Sequence, residues 1–284
     1  MRTRKLPRVT AKNYFTSEIN MAYLSASQIK AFMQCEAAAM AELNREHVRE
    51  ESTAMLVGSY VDAYFSRSLP QFKSDHPELY TGKGDLKAEY KKADRIIYRI
   101  QEDKLFMALM SGRKQTIRTG SIGGIPFKVK VDSLLPAKKC LVISERFPGV
   151  AETLMFADGA IVDLKVMRDF ERVWKPGAGR VSFVEAWGYD LQLAVYQEIV
   201  GGQLPCFIAA VTKEEEPDIE VFMIPQEEMD AKLMQVEELA PRYAAIKRGE
   251  IEPDRCGRCA YCRRTKVLTG PQDYRYYKME EERV

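Results

Sequence analysis

The chain has 284 residues, of which 46% are hydrophobic and 30% charged, as in a globular protein with either one large domain or one domain plus an appendage. Its formal net charge of +2 excludes a strongly basic nucleic-acid binder, so any basic surface must be local. No apolar run approaches the roughly 20 residues that span a bilayer, and no apolar segment follows the basic N-terminus as in a secretory signal, so we expect a cytoplasmic protein with no membrane partner.

The N-terminal part of the chain predicts an arm followed by a long helix. Residues 1–23 have no clear periodicity and are interpreted as an irregular arm. Ser25 and Gln28 then have the spacing of a capping box, in which each side chain satisfies a free backbone N–H at a helix start. Apolar residues at helical spacing continue this helix toward Arg49, with Cys35 inside it.

Further helical segments and a loop follow. The second helix covers about 53–68. It carries Asp62 in an apolar stretch, where this carboxylate could be solvated, paired or functional. Residues 69–86 are rich in Pro, Gly and Asp and predict a loop, and 87–112 predicts one amphipathic helix or a pair of helices.

A hairpin is predicted next, because strand-like runs at 116–121 and 125–134 flank Gly123-Gly124, a strong turn signal. Alternation along the second strand places apolar residues on one face and polar residues on the other. The polar face carries Lys128, Lys130 and Asp132.

The most informative stretch is the apolar run 159–166, which has the composition of a buried strand but contains two charges. Successive side chains on a strand point to opposite faces, so Asp163 and Lys165 share a face. Burying a charge is costly unless it has a partner or a metal. The two residues could therefore form a functional site or a structural ion pair at a sheet edge.

The C-terminal half predicts a linker, two helices and a second hairpin. The glycine-containing basic segment 175–180 fits neither a P-loop nor a dinucleotide pattern and is interpreted as an exposed linker. A helix over 182–200 begins with another capping box and places Gln192 and Tyr196 one turn apart. The remaining elements are a hairpin at 205–224 and a helix at 226–248 that Pro241 should kink or split.

Six cysteines in a chain expected in a reducing compartment favour a metal site or free thiols over disulfides. Cys256, Cys259 and Cys262 have C-x2-C-x2-C spacing, which brings their sulfurs within reach of one ion. A fourth local ligand is missing, and the candidates are Cys35, Cys140 and Cys206. The alternative is a C-terminal knuckle of reduced thiols.

Together these residues resemble the PD-(D/E)xK nuclease superfamily, in particular the branch of the RecB and AddB nuclease domains and the phage exonucleases of RecE (exonuclease VIII) type. The resemblance covers about residues 24–265. Its motifs are, in chain order, Leu24 to Gln28 with Cys35, Gly58-Ser59-x2-Asp62, Asp132, Asp163-x-Lys165 and Gln192-x3-Tyr196. Asp62 stands where many members have His, and the long gap between the two acidic motifs makes 136–158 an insertion.

The resemblance implies an α/β fold with a restriction-endonuclease-like core. A central mixed sheet would be flanked by helices, with N-terminal helices and a Cys-rich C-terminal tail. The implied parts are the arm at 1–23, the nuclease domain at 24–250 and the tail at 251–284 packed on that domain.

The resemblance also implies a site for phosphodiester hydrolysis with Mg²⁺ or Mn²⁺. The implied metal ligands are Asp62, Asp132, Asp163 and the Leu164 carbonyl, with Glu145, Glu152 and Glu185 as further carboxylates that could join them. The other implied catalytic residues are Lys165, which would orient water or stabilise phosphate charge, and Gln192 and Tyr196, which would position water or DNA. Lys128 and Lys130 could contact phosphates or be solvated strand lysines.

In RecB-like relatives such as AddB, one N-terminal and three C-terminal cysteines hold a 4Fe–4S cluster. Cys35 with Cys256, Cys259 and Cys262 imitates that arrangement, although the relatives usually have a longer spacing in the last group. Zinc, or no metal, is therefore the alternative.

The activity implied by the resemblance is 5′→3′ exonuclease action on double-stranded DNA ends in phage-type homologous recombination. A single-strand annealing protein as partner and a closed homo-oligomeric ring follow from the same analogy. One alternative is a catalytically inactive PD-(D/E)xK module that binds DNA or a partner. Another is a metal-binding protein whose cysteine tail is its main function.

Overall fold

The computed structural model describes residues 6–48, 52–137, 139–147, 150–156, 158–271 and 273–276, with the side chains between 138 and 155 outside that description. Its helices are α1 Ser17–Ala22, α2 Ala26–Gln34, α3 Glu36–Leu43, α4 Thr53–Phe65, α5 Leu69–Asp75, α6 Ala88–Glu102, α7 Lys104–Leu109, α8 Phe183–Ala186, α9 Tyr189–Val200, α10 Gln226–Lys247 and α11 Ala260–Arg264. Within these ranges, no helix combines the length and the apolar character needed to cross a membrane.

The central sheet is mixed, as predicted. The strands of the chain are β1 Arg113–Ile122, β2 Ile125–Leu135, β3 Lys139–Phe147, β4 Val150–Phe156, β5 Ala160–Met167, β6 Val173–Lys175, β7 Gly179–Val181, β8 Cys206–Thr212 and β9 Ile219–Met223. The sheet has the order β1-β2-β5-β8-β9, in which β5 and β8 are parallel and the other neighbours antiparallel. β3 pairs with β4 and β6 with β7 as separate two-stranded ribbons.

Helices cover both faces of the sheet, so β5 and β8 are largely buried on both sides. Ile161 and Ile208 pack in one core with residues of α2, α9 and α10. Val162 and Ala209 pack in a second core with residues of α4, α6 and α7. The two buried strands are thus the centre of a three-layer α/β arrangement.

The strands β2 and β5 pair over a short stretch and then diverge. Their ladder consists of Ser133↔Val162, Leu134↔Ile161 and Leu135↔Ala160. Farther along β2, Leu24 takes the place of a neighbouring strand, donating its N–H to Pro126 O and accepting from Lys128 N–H, each at 2.9 Å. The fork between β2 and β5 opens at Asp132 and Asp163, one position beyond the last pair.

The prediction of an irregular arm over 1–23 is wrong for its last part, since α1 is a helix that packs on the body of the fold. Ile19 is fully buried. The Tyr23 carbonyl accepts a hydrogen bond from Lys247 Nζ at 2.7 Å. These contacts with distant residues hold the segment in place, and local periodicity does not reveal them.

Each of the two helices predicted at 25–49 and 182–200 is divided. Cys35 is extended, with φ −168° and ψ 111°, and separates α2 from α3. Gly188 has φ 61°, a left-handed conformation that favours glycine, and separates α8 from α9. Apolar spacing continues across both breaks, so it does not reveal them.

Other segments also differ from their predictions. The predicted loop 69–86 contains α5, and the predicted linker 175–180 includes the turn between β6 and β7. The helix α10 runs unbroken through Pro241, because its buried residues on both sides of the proline pack into the first core. The β3–β4 ribbon lies within 136–158 and does not contradict the prediction that this segment is an insertion.

Candidate active site

Asp132 is held at the fork by two amide groups. Its Oδ2 accepts a hydrogen bond from Leu164 N–H at 3.0 Å, and its Oδ1 accepts one from Gln115 Nε2 at 3.3 Å. The β1–β2 ladder skips the Gln115–Asp132 position, although the pairs on both sides form. Gln115 has φ +46°, which is rare outside glycine, and such strain is concentrated at functional sites.

Asp163 is the centre of a polar network between β5 and α9. Its Oδ1 accepts a hydrogen bond from Gln192 Nε2 at 2.7 Å, and its Oδ2 lies 2.5 Å from Lys165 Nζ. Gln192 Nε2 also donates to Tyr196 Oη at 3.1 Å. Alternation along β5 and one turn of α9 therefore bring together the residues of the second acidic motif and the Q-x3-Y motif.

A lysine that sequence analysis did not single out completes this network. Lys30 Nζ of α2 donates to Gln192 Oε1 at 3.0 Å. It also lies 5.3 Å from the centre of the Tyr189 ring, and Lys165 Nζ lies 4.7 Å from the same ring. Burial, together with the charge of Lys165, lowers the pKa of Lys30 to about 8. Because Lys30 binds the amide oxygen of Gln192, the amide nitrogen is directed at Asp163.

Asp62 reaches the same region from α4. Burial raises the pKa of Asp62, and the charge of Asp163 adds to this effect, whereas Lys130 and Lys165 oppose it. The carboxylate is therefore near enough to the fork for its charge to act on the other groups there. The assignment of Asp62 as a metal ligand stays a prediction.

The two strand lysines have different surroundings. Lys128 is only 1% exposed, and its Nζ donates to Asn20 Oδ1 at 2.6 Å and to the Tyr14 carbonyl. The expectation that Lys128 contacts phosphate is therefore wrong, because the N-terminal segment covers it. Lys130 is partly exposed, with its Nζ 4.7 Å from the centre of the Phe15 ring, and it stays a candidate for DNA contact.

The donor set of the fork fits a divalent cation. Burial, with the charges of Asp163 and Asp62, raises the pKa of Asp132 to about 8. Asp163 Oδ2 is buried and lies 2.5 Å from Lys165 Nζ, and no other hydrogen-bond donor reaches it from the residues described. The N–H and C=O of a strand residue point to the same edge, so the Leu164 carbonyl also faces the fork. Hard cations prefer such carboxylate and carbonyl oxygens.

Lys165 stays charged in this surrounding. Burial alone would lower its pKa, but Asp163 and Asp132 outweigh burial, so the pKa of Lys165 is raised. Burial raises the pKa of Tyr196 well above its ordinary value, so the phenol keeps its proton. The site thus combines carboxylates for a cation with the ammonium group of Lys165 and the hydroxyl group of Tyr196.

Of the further carboxylates considered for the metal site, Glu185 is the one whose side chain the structure describes. Glu185 is exposed in α8, where its backbone N–H donates to Ser182 Oγ at 3.2 Å. The side chains of Glu145 and Glu152 lie outside the described residues.

Sequence reasoning missed Gln115 and Lys30 for different reasons. The two-residue turn at Gly123-Gly124 fixes the hairpin register and places Gln115 opposite Asp132. Gln115 could therefore have been identified from the sequence. Lys30 reaches Gln192 only through the packing of α2 against α9, for which no local signal exists.

A second cluster lies at the tail, where four cysteine sulfurs lie within 4.8 Å of one another: Cys35, Cys256, Cys259 and Cys262. This set could bind a metal, and it is the set that the resemblance implies. Of the other candidates for a fourth ligand, Cys206 is buried in the sheet and lies 3.4 Å from the Leu204 carbonyl, and the side chain of Cys140 lies outside the description.

Comparison with known proteins identifies the family and the fold. Residues 25–142 and 151–265 match the family described as "PDDEXK-like domain of unknown function (DUF3799)". The crystal structure of a "putative exonuclease" from Eubacterium rectale is 43% identical, with a TM-score of 0.82, and the match covers 96% of this chain and 99% of that one. A search of curated proteins found no match. The predicted superfamily and the restriction-endonuclease-like fold are confirmed, and the chain belongs to the PDDEXK-like family DUF3799.

Proposed function

We propose that the protein is a metal-dependent deoxyribonuclease that degrades double-stranded DNA from its ends in the 5′→3′ direction. The observation that carries this proposal is the meeting of Asp132, Asp163 and Lys165 in the fork between β2 and β5. The similarity to the Eubacterium rectale protein supports exonuclease action.

Mg²⁺ or Mn²⁺ would be held by Asp132, Asp163 and the Leu164 carbonyl, with Asp62 completing the shell. Such an ion, when bound, lowers the pKa of its water and polarises the phosphate. Burial and mutual repulsion raise the pKa values of Asp132 and Asp62, and a divalent cation bound between the carboxylates would offset both effects.

The remaining residues act on the substrate directly or through a neighbour. The Lys165 ammonium would stabilise negative charge on the phosphate oxygens. Gln192 holds Asp163 Oδ1, and Tyr196 offers a hydroxyl beside the same amide. Lys130 at the mouth of the fork would contact the DNA backbone.

The wider role proposed is end processing in homologous recombination of the phage type. A single-strand annealing protein would be the partner that takes up the product strand. A closed ring of subunits would keep hold of the DNA. These features extend the proposal by analogy with RecE-type exonucleases.

Matched linear and covalently closed circular duplexes, incubated with the protein and Mg²⁺, test the proposal. We expect the linear duplex to be degraded and the circle to stay intact. Labels at the 5′ and 3′ ends report direction, and the 5′ label should be released first. Cutting of the circle would show an endonuclease instead, and binding without cleavage of either duplex would favour the inactive module.

A further inference from the structure

The spacing of the four clustered cysteines discriminates between kinds of metal centre. Around one tetrahedral zinc ion with Zn–S bonds of about 2.3 Å, neighbouring sulfurs are about 3.8 Å apart. In a four-iron cube each cysteine binds a different iron, and the sulfurs are about 6 Å apart. Here Cys35 and Cys262 are separated by 3.5 Å and Cys256 and Cys262 by 4.0 Å, and no pair exceeds 4.8 Å. We infer that this cluster holds a single zinc ion and not the 4Fe–4S centre of RecB-like relatives.

The local backbone presents these sulfurs as ligands. Cys259 N–H donates to Cys256 Sγ, and Cys262 N–H donates to Cys259 Sγ, each at 3.4 Å. Each C-x2-C turn therefore directs an amide at the preceding sulfur, which stabilises thiolate and fixes its direction. Cys35 and Cys262 are buried, so water has little access to the centre of the cluster.

Hydrogen bonds of residues beside the cysteines join the start of α3 to the tail. Glu36, the residue after Cys35, accepts two hydrogen bonds from Arg242, at 2.6 and 2.8 Å, and one from Asp254 N–H at 2.8 Å. Ala37 N–H donates to the Asp254 carbonyl at 3.0 Å. These bonds, formed by the residues next to Cys35 and by Asp254 before Cys256, hold the start of α3 against the tail. The short distances between the four sulfurs are therefore supported by hydrogen bonds of the neighbouring residues.

The proposed ion has a structural role. Four sulfur ligands fill a tetrahedral shell and leave no open position for a substrate. The ion joins the junction between α2 and α3 to a tail that lies 227 positions later in the chain. Because α2 also carries Lys30, the ion holds in place the helix that orients Gln192.

Metal and sulfide analysis of the full-length protein, purified anaerobically from iron-supplemented cells, tests the inference. We expect about one zinc per chain, no acid-labile sulfide and no broad absorption near about 400 nm. Replacement of the metal by Co²⁺ should give the intense visible bands of a tetrahedral thiolate site. About four irons with equal sulfide would overturn the inference, and so would protein that binds no stoichiometric metal.

Matched variants assign the ion to the cluster. Cys262→Ser should lose the zinc and lower the melting temperature, whereas Cys206→Ser, which changes another buried cysteine, should keep the zinc. Retention of zinc by Cys262→Ser would contradict the assignment. If Cys262→Ser does not fold, the zinc content and the Co²⁺ spectrum of the unaltered protein still distinguish a zinc site from a 4Fe–4S cluster. Neither measurement depends on nuclease activity.

Discussion

Lys30 Nζ donates a hydrogen bond to Gln192 Oε1 at 3.0 Å across 162 positions of the chain, and this contact sets the direction of the Gln192 amide. Lys30→Met removes the donor, so the amide can turn its oxygen toward Asp163 and repel it. We expect degradation of linear duplex to slow by about 10-fold or more, mainly through kcat.

The control for this prediction is Lys92→Met, which changes an exposed lysine of α6. Lys30→Arg keeps a charged donor and should restore part of the rate. A rise in KM with unchanged kcat would instead show that Lys30 contacts DNA, and an unchanged rate would show that Gln192 needs no such orientation.

Gln115→Gly should make the protein more stable and less active. Glycine adopts φ +46° without the strain that this conformation costs other residues, so the free energy of unfolding should rise by about 1 kcal/mol. The same change removes the hydrogen bond to Asp132 Oδ1, so the rate of DNA degradation should fall. Denaturant unfolding and the degradation assay measure the two effects.

Gln203 offers a matched control, because it has the same φ of 46° in the exposed loop after α9. Gln203→Gly should gain stability in the same way and keep full activity. Equal activity of the two variants would contradict a positioning role for Gln115.

Lys247 predicts a dependence of stability on pH. Burial, together with Lys128, lowers the pKa of Lys247 from 10.5 to about 7. Between these values the unfolded chain binds a proton that the folded chain does not, so the free energy of unfolding should rise with pH, by up to about 1.4 kcal/mol per unit. The cost of burying the charge is fully present below pH 7.

Denaturant unfolding at pH 7 and pH 9 checks this dependence in the wild type and in Lys247→Met. The variant loses the hydrogen bonds to the Tyr23 carbonyl and Gln28 Oε1, which lowers its stability at both pH values, but it also lacks the charge-burial cost that the wild type carries at pH 7, so its deficit relative to the wild type should be larger at pH 9 than at pH 7. Its stability should also rise less between them, because the titrating group is gone. Identical pH slopes would show that Lys247 keeps an ordinary pKa.

Local sequence patterns predicted the features that depend on residues close together in the chain. The alternation of charge and apolar residues in β5 placed Asp163 and Lys165 on one face, and Gly123-Gly124 predicted the hairpin. The order of motifs predicted the family and the fold.

Contacts between distant segments were beyond these patterns. Lys128 alternates with core residues as an outward lysine would, yet the N-terminal segment folds back over it. The break at Cys35 follows from packing against the tail, and the apolar spacing of the helix continues through it. Lys30 was missed for the same reason, because its partner Gln192 lies 162 positions away in the chain.

The release of nucleotides from linear duplex DNA by Asp163→Asn, in the presence of Mg²⁺, tests the central proposal most directly. Asparagine keeps the size of the side chain but removes the charge that faces Lys165 and the proposed cation, so the rate should fall by ~100-fold or more. Asp85→Asn, a change at an exposed loop residue, is the control and should keep the wild-type rate. Degradation by Asp163→Asn at the rate of the control would contradict the assignment of the active site to the fork between β2 and β5.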